Sequence, residues 1–162
     1  MKSTSKITIG AIEVCNLPEL SISDLHVRVD TGAKTSSLHV DNIRRLKKNG
    51  RAWVTFDIHP DIHNVDKVVA CESPLFDVRR IKSSNGKSEE RYVVKTQLEL
   101  GGQQWPIEIT LTDRSDMSYL MLLGREGMGS RVLIDPSENF MLTDSPLTEM
   151  RGRDEKKLSE FN

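Results

Sequence analysis

Apolar residues in this chain return at every second position, and turn signals separate the runs. In "RAWVTFDI", Val54, Phe56 and Ile58 alternate with Trp53, Thr55 and Asp57. In "RYVVKTQLEL", Tyr92, Val94, Leu98 and Leu100 share one face, and Lys95, Gln97 and Glu99 take the other. "WPIEITLT" repeats the pattern with Ile107, Ile109 and Leu111. A period of two is the pattern of strands with one buried and one wet face. Asn49-Gly50, Asn85-Gly86 and Gly101-Gly102 stand between these runs. Such pairs accept the positive φ angles of tight hairpins, so strands are expected to pair with sequence neighbours in a largely antiparallel sheet. "YLMLLG" differs, because its apolar run is unbroken up to Gly124; it reads as a strand buried on both faces. "REGMGSR" predicts one short helix, and "VLID" and "NFML" predict closing strands. The fold class is therefore all-β, a barrel with one short helix.

The chain has 162 residues, enough for one domain over 1–150, and 151–162 reads as a charged, disordered tail. The formal net charge is −1, which gives no electrostatic reason for nucleic acid or an anionic membrane as partner. Arg79, Arg80 and Lys82 form a basic cluster that Glu89 and Glu90 are expected to offset. No run approaches the ~20 apolar residues of a membrane span, and the first residues lack the pattern of a signal peptide. Cys15 and Cys71 fit no metal or redox spacing. They are expected to be buried, reduced thiols in a cytoplasmic protein.

The stretch "VRVDTGAKTSSLHV" carries the chemistry. Asp-Thr-Gly alone occurs by chance in a chain of this size on the order of a few per cent of the time, and Asp and Gly favour turns. Its position adds weight. Asp30 lies where the strand "HVRV" runs into a loop, a second strand "LHV" follows, and Leu122-Leu123-Gly124 comes far downstream.

With Arg125 after that glycine, this order of motifs resembles the retropepsin-type aspartic peptidases. "DTGAKTSSLH", "RRIKSSNGKSEERYVV", "ITLTDRSDM", "MLLGREGM" and "LIDPS" narrow the likeness to the bacterial retropepsin-like family known as RimB, also labelled an ATP-dependent zinc protease. The resemblance spans roughly residues 9–142 and implies a closed retropepsin-like barrel. It implies Asp30, Thr31 and Gly32 as the catalytic triplet, with the Thr31 hydroxyl reaching across a dimer axis. Ala33 and a flap tip of Ser83, Ser84, Asn85 and Gly86 would meet substrate. Leu122, Leu123, Gly124 and Arg125 would support the site. Such chemistry needs two carboxylates about 3 Å apart sharing a proton. The chain has a single Asp-Thr-Gly, so the second must come from another copy, in a homodimer. The family also implies a link with an ATP-grasp glutamate ligase and, as substrate, a protein or peptide with a glutamate-rich tail.

The sequence departs from related retropepsins at three points. Lys34 stands where an acid normally pairs with the arginine, so Arg125 is expected to turn to Glu126 or Asp135. Leu120 replaces an expected proline. The stretch from Asn42 to Phe76 is long, and is expected to add the hairpin "IRRLKKNGRAWVTF" and a loop through Pro60 and Pro74. No cofactor is expected: there is no phosphate-binding GxxxxGK[ST]. His59 and His63 are four apart, but Pro60 places them in a loop and no third ligand is evident, so no metal is expected. His26 and His39 read as satisfied strand histidines. The alternative to a peptidase is a non-catalytic barrel that binds an extended peptide or protein.

Overall fold

The computed structural model describes residues 6–60, 66–82, 86–113 and 119–142. The strands are β1 (Ile7–Ile9), β2 (Ile12–Leu17), β3 (Ile22–Val29), β4 (Ser36–His39), β5 (Asp41–Lys48) and β6 (Arg51–Ile58). They continue as β7 (Val69–Pro74), β8 (Asp77–Lys82), β9 (Ser88–Leu100), β10 (Gln103–Thr112), β11 (Met121–Leu123) and β12 (Val132–Ile134). One turn of 3₁₀ helix lies at Pro18–Leu20, and one short α-helix, α1, at Arg125–Met128. No described helix is long and apolar enough to cross a membrane.

The large sheet runs β10-β4-β11-β3-β2-β9-β8, and β9 also pairs with β10. That extra pairing closes six strands into a barrel and leaves β8 as a flange on β9. Closure removes two exposed edges and puts alternate side chains inside. Leu25, Val27, Leu38, Val94, Leu98, Ile109, Met121 and Leu123 are each no more than 1% exposed.

A second sheet, β5-β6-β7, lies outside the barrel order. Its inner face contributes Val54, Phe56 and Ile58 to the common core. The predicted β5–β6 hairpin is present. Lys48 opposes Arg51, and Asn49 and Gly50 take φ of 52° and 79°, a two-residue turn whose twist suits the strands. Pro74 does not lie in a loop as expected; it ends β7, opposite Trp53. The proline fits there because β7 is an edge strand, whose outer N–H positions need no partner.

Pairing among the described strands is largely antiparallel, as expected, with parallel exceptions: β4 with β10 and β3 with β11 in the large sheet, and β1 with β12 in a separate two-stranded sheet. Hairpin signals reveal only neighbours, whereas these parallel partners are far apart in sequence. A further expectation is corrected: "NFML" is not a strand. Phe140 takes φ 55° and its N–H donates to Ile12 O at 2.8 Å. The Met141 and Leu142 N–H groups donate instead to the fully buried Glu13 carboxylate (2.9 and 3.2 Å), which also accepts from Gly10 N–H at 2.7 Å. A buried carboxylate needs several donors, and the turning backbone at 140–142 supplies them.

Cys15 and Cys71 are buried free thiols, with burial pushing them up to about 12 and about 11. Both are chemically quiet at neutral pH. The His26 ring stacks at a tilt on Phe140, 5.4 Å between centroids. His39 corrects the expectation of a satisfied histidine, since its buried Nδ1 has no hydrogen-bond partner among the described residues.

Candidate active site

Asp30 follows directly on β3, whose pairing with β11 ends at Val29 opposite Leu123. Beyond that point the backbone turns. Asp30 N–H still donates to Leu123 O (3.0 Å), while Ala33 N–H closes back onto Asp30 O (3.2 Å). The Asp30 side chain is half-buried, and its Oδ1 accepts from Gly32 N–H at 2.9 Å. That N–H donor fixes the rotamer of the carboxylate.

The support beneath the loop comes from the Leu122–Arg125 stretch. Leu123 is fully buried. Gly124 N–H donates to Ser36 Oγ (3.0 Å), and the Arg125 and Glu126 N–H groups donate to Ala33 O and Lys34 O (2.9 and 3.0 Å). A Cβ at Gly124 would lie 2.6 Å from the Thr35 carbonyl carbon and oxygen. Only glycine allows the two backbones to cross so closely. Arg125 meets neither Glu126 nor Asp135; its Nη1 donates to Thr31 O at 2.8 Å. With Lys34 in place of an acid, the guanidinium takes a backbone carbonyl of the Asp-Thr-Gly triplet itself. Asp135 is engaged by Ser137, whose hydroxyl and N–H hold its carboxyl below the usual range.

Beside the loop lies a cleft of about 1090 Å³. Ala33, Lys34, Thr35 and Ser37 line it from the Asp-loop side, with Leu122, and residues of β8 and β9 line it from the other. Five cationic residues (Lys34, Arg79, Arg80, Lys82 and Arg91) and two acids (Glu108 and Glu126) face it. The acids that offset the cluster are only in part those expected. Arg79 is clamped by Glu108 (2.6 Å) and Asp77 (2.8 Å), which hold its proton more tightly than usual, and Asp77 is held low in return. Glu89 engages Arg91, and Glu90 reaches only 3.8 Å from an exposed Arg80.

The flap expectation falls partly outside the described residues, as Ser83, Ser84 and Asn85 do. What is described is a β8–β9 ladder in register up to Lys82 opposite Ser88, with Gly86 at φ 86°. Thr31 and Gly32 are exposed on the loop. His63 also lies outside, and His59 Nε2 is 2.9 Å from Asp41 Oδ2. No metal-binding cluster is found among the described residues. Sequence reasoning missed Ser36, Glu108 and Arg91. The acid two residues before Arg91 was an available signal; Ser36 and Glu108 gave none, since each meets its partner only across the fold.

The family model described as "Retropepsin-like aspartic endopeptidase RimB" matches residues 8–145. A Shewanella pealeana protein named "Probable alpha-L-glutamate ligase" is 50% identical over 141 residues, 86% of this chain but 31% of its own length. A Parasynechococcus marenigrum protein of the same name is 45% identical, over 87% of this chain and 30% of its own length. The chain thus spans about a third of these curated relatives. Among solved structures, a Legionella pneumophila protein of unknown function superposes with a TM-score of 0.71 at 26% identity, covering 86% of this chain and 100% of that one. The chain belongs to the RimB-like family of retropepsin-like aspartic endopeptidases.

Proposed function

We propose that the protein is a homodimeric aspartic peptidase that cleaves glutamate-rich protein tails. The observation that carries this reading is the half-buried Asp30, fixed by Gly32 N–H and Leu123 O at the end of β3, beside a cleft rich in cations. Two protomers would bring their Asp30 carboxylates together on the two-fold axis. So close, they cannot both ionise, and they share one proton. The ionised member takes a proton from water, and the water oxygen attacks the scissile carbonyl carbon. The protonated member gives its proton to the carbonyl oxygen. Collapse of the tetrahedral species breaks the C–N bond, with a proton passing to the leaving amine. No covalent acyl-enzyme forms.

The glutamate-rich substrate is supported by the excess of cations lining the cleft. The relatives named as probable α-L-glutamate ligases support a link to a ligase that adds such residues. A trimming enzyme and an adding enzyme would act on one tail in opposite directions, in the cytoplasm.

The test is cleavage of an oligoglutamate-tailed protein, followed by mass spectrometry. Asp30→Asn should lower the rate by about 10²–10⁴-fold or more, since it removes the shared proton site from both protomers. Cleavage that survives Asp30→Asn, or a strictly monomeric protein at micromolar concentration with peptide present, sinks the reading. A barrel that only binds would then remain.

A further inference from the structure

The cations of the cleft are not equivalent. Arg79 and Arg91 stand directly opposite each other across the β8–β9 ladder, so their side chains share one face. Like charges in that position repel, and each arginine is compensated by an acid two residues before it, Asp77 and Glu89. The symmetry ends there. Arg79 has a second carboxylate, Glu108, on its Nη2, so both edges of its fork are engaged. Arg91 uses only its Nε, toward Glu89 Oε1 at 2.7 Å. Its terminal amino groups have no acceptor among the described residues, although its side chain is just 12% exposed against 29% for Arg79. A mostly buried guanidinium with an unused planar edge facing a cleft is suited to a carboxylate bound through two parallel hydrogen bonds. Lys34, on the other side of the cleft, also has no acidic partner among the described residues.

We infer that Arg91 is the specificity-determining residue that reads an acidic side chain of the bound peptide, with Lys34 as a second, single-point contact. This rests on the peptidase reading and names how that site selects its substrate. Arg79, already neutralised by two carboxylates, holds the wall in place and does not select.

Binding to the catalytically silent Asp30→Asn protein tests this apart from hydrolysis. The probes are fluorescein-labelled oligoglutamate and oligoglutamine peptides, read by anisotropy. Adding Arg91→Gln should weaken oligoglutamate binding roughly 10- to 100-fold and leave oligoglutamine unchanged. Arg91→Lys, which keeps the charge but not the fork, should recover only part, and Lys34→Gln should cost less than Arg91→Gln. Arg91→Lys also guards against misfolding, as its melting temperature should match the parent. Unchanged preference for oligoglutamate in Arg91→Gln, full recovery by Arg91→Lys, or equal binding of both peptides to the parent overturns the inference. Failure of the peptidase reading has a different signature: cleavage by the unmodified protein that ignores Asp30→Asn.

Discussion

Two regions hold their shape in different ways. The crossing beneath Asp30 is fixed by backbone groups at close range. Leu123 O, Ala33 O and Lys34 O each accept an N–H from the partner segment, Ser36 Oγ accepts Gly124 N–H, and there is no room for a Cβ at Gly124. The β5-β6-β7 sheet buries one face and leaves the other to water. Its polar contacts, Lys48–Glu72 and His59–Asp41, lie between groups about a third or more exposed. Buried backbone contacts are strongly coupled and tolerate little displacement, whereas exposed ion pairs are screened and contribute little. The region argued to do chemistry is the one held without side-chain freedom.

The largest contrast should come from placing the same residue at two glycines. Gly124→Asn pushes a side chain into the Thr35 carbonyl and must spread two backbones, at about 1–3 kcal/mol or more. Gly50→Asn meets nothing within 4 Å and keeps a residue that accepts φ 79°. Thermal melts should show Gly124→Asn lowered by about 5 °C or more, with hydrolysis lost, and Gly50→Asn nearly unchanged. Equal melts would break the comparison.

Arg125→Gln gives an intermediate effect. It removes the charge-assisted bond to Thr31 O, between Asp30 and Gly32, while the main-chain crossing stays intact. Hydrolysis should fall about tenfold, in line with one lost hydrogen bond to a charged group, and the melting temperature should move by no more than about 2 °C. Arg125→Lys should restore part of the rate. A large loss of stability with the rate per folded molecule unchanged would assign Arg125 to scaffolding alone.

These contrasts bear on what the sequence makes legible. Val54, Phe56 and Ile58, and Ile107, Ile109 and Leu111, are buried as their alternation requires. Asn49-Gly50 turns where its chemistry predicts. Local pattern suffices because strand faces and two-residue turns are local properties. The parallel pairs β3–β11 and β4–β10 were not legible, since their registers are set by packing between distant segments. The partner of Arg125 was missed for a related reason. A search for acids finds Glu126 and Asp135, but every residue carries a carbonyl, and only the fold shows that Thr31 O is within reach. The Asp30 loop was legible through its motif. The cleft's division of labour between Arg79 and Arg91 depends on Glu108, which approaches only once β10 folds beside β9.

The smallest effect is expected at Lys48→Ala on the outer sheet. Lys48 Nζ sits 2.6 Å from Glu72 Oε1 and 4.5 Å from the centre of the Trp53 ring, and both members of the ion pair are more than 40% exposed. Solvent screening leaves such a pair about 0–1 kcal/mol, and the ring contact adds a similar amount at an exposed position. The melting temperature should shift by no more than about 2–4 °C, and less in high salt, because screening has already weakened the pair there. Hydrolysis per folded molecule should not change, since neither residue lines the cleft. If Lys48→Ala instead unfolded the protein as readily as Gly124→Asn, the outer sheet would be a full part of the cooperative core, and burial of Val54, Phe56 and Ile58 would be transmitted through its wet face as well.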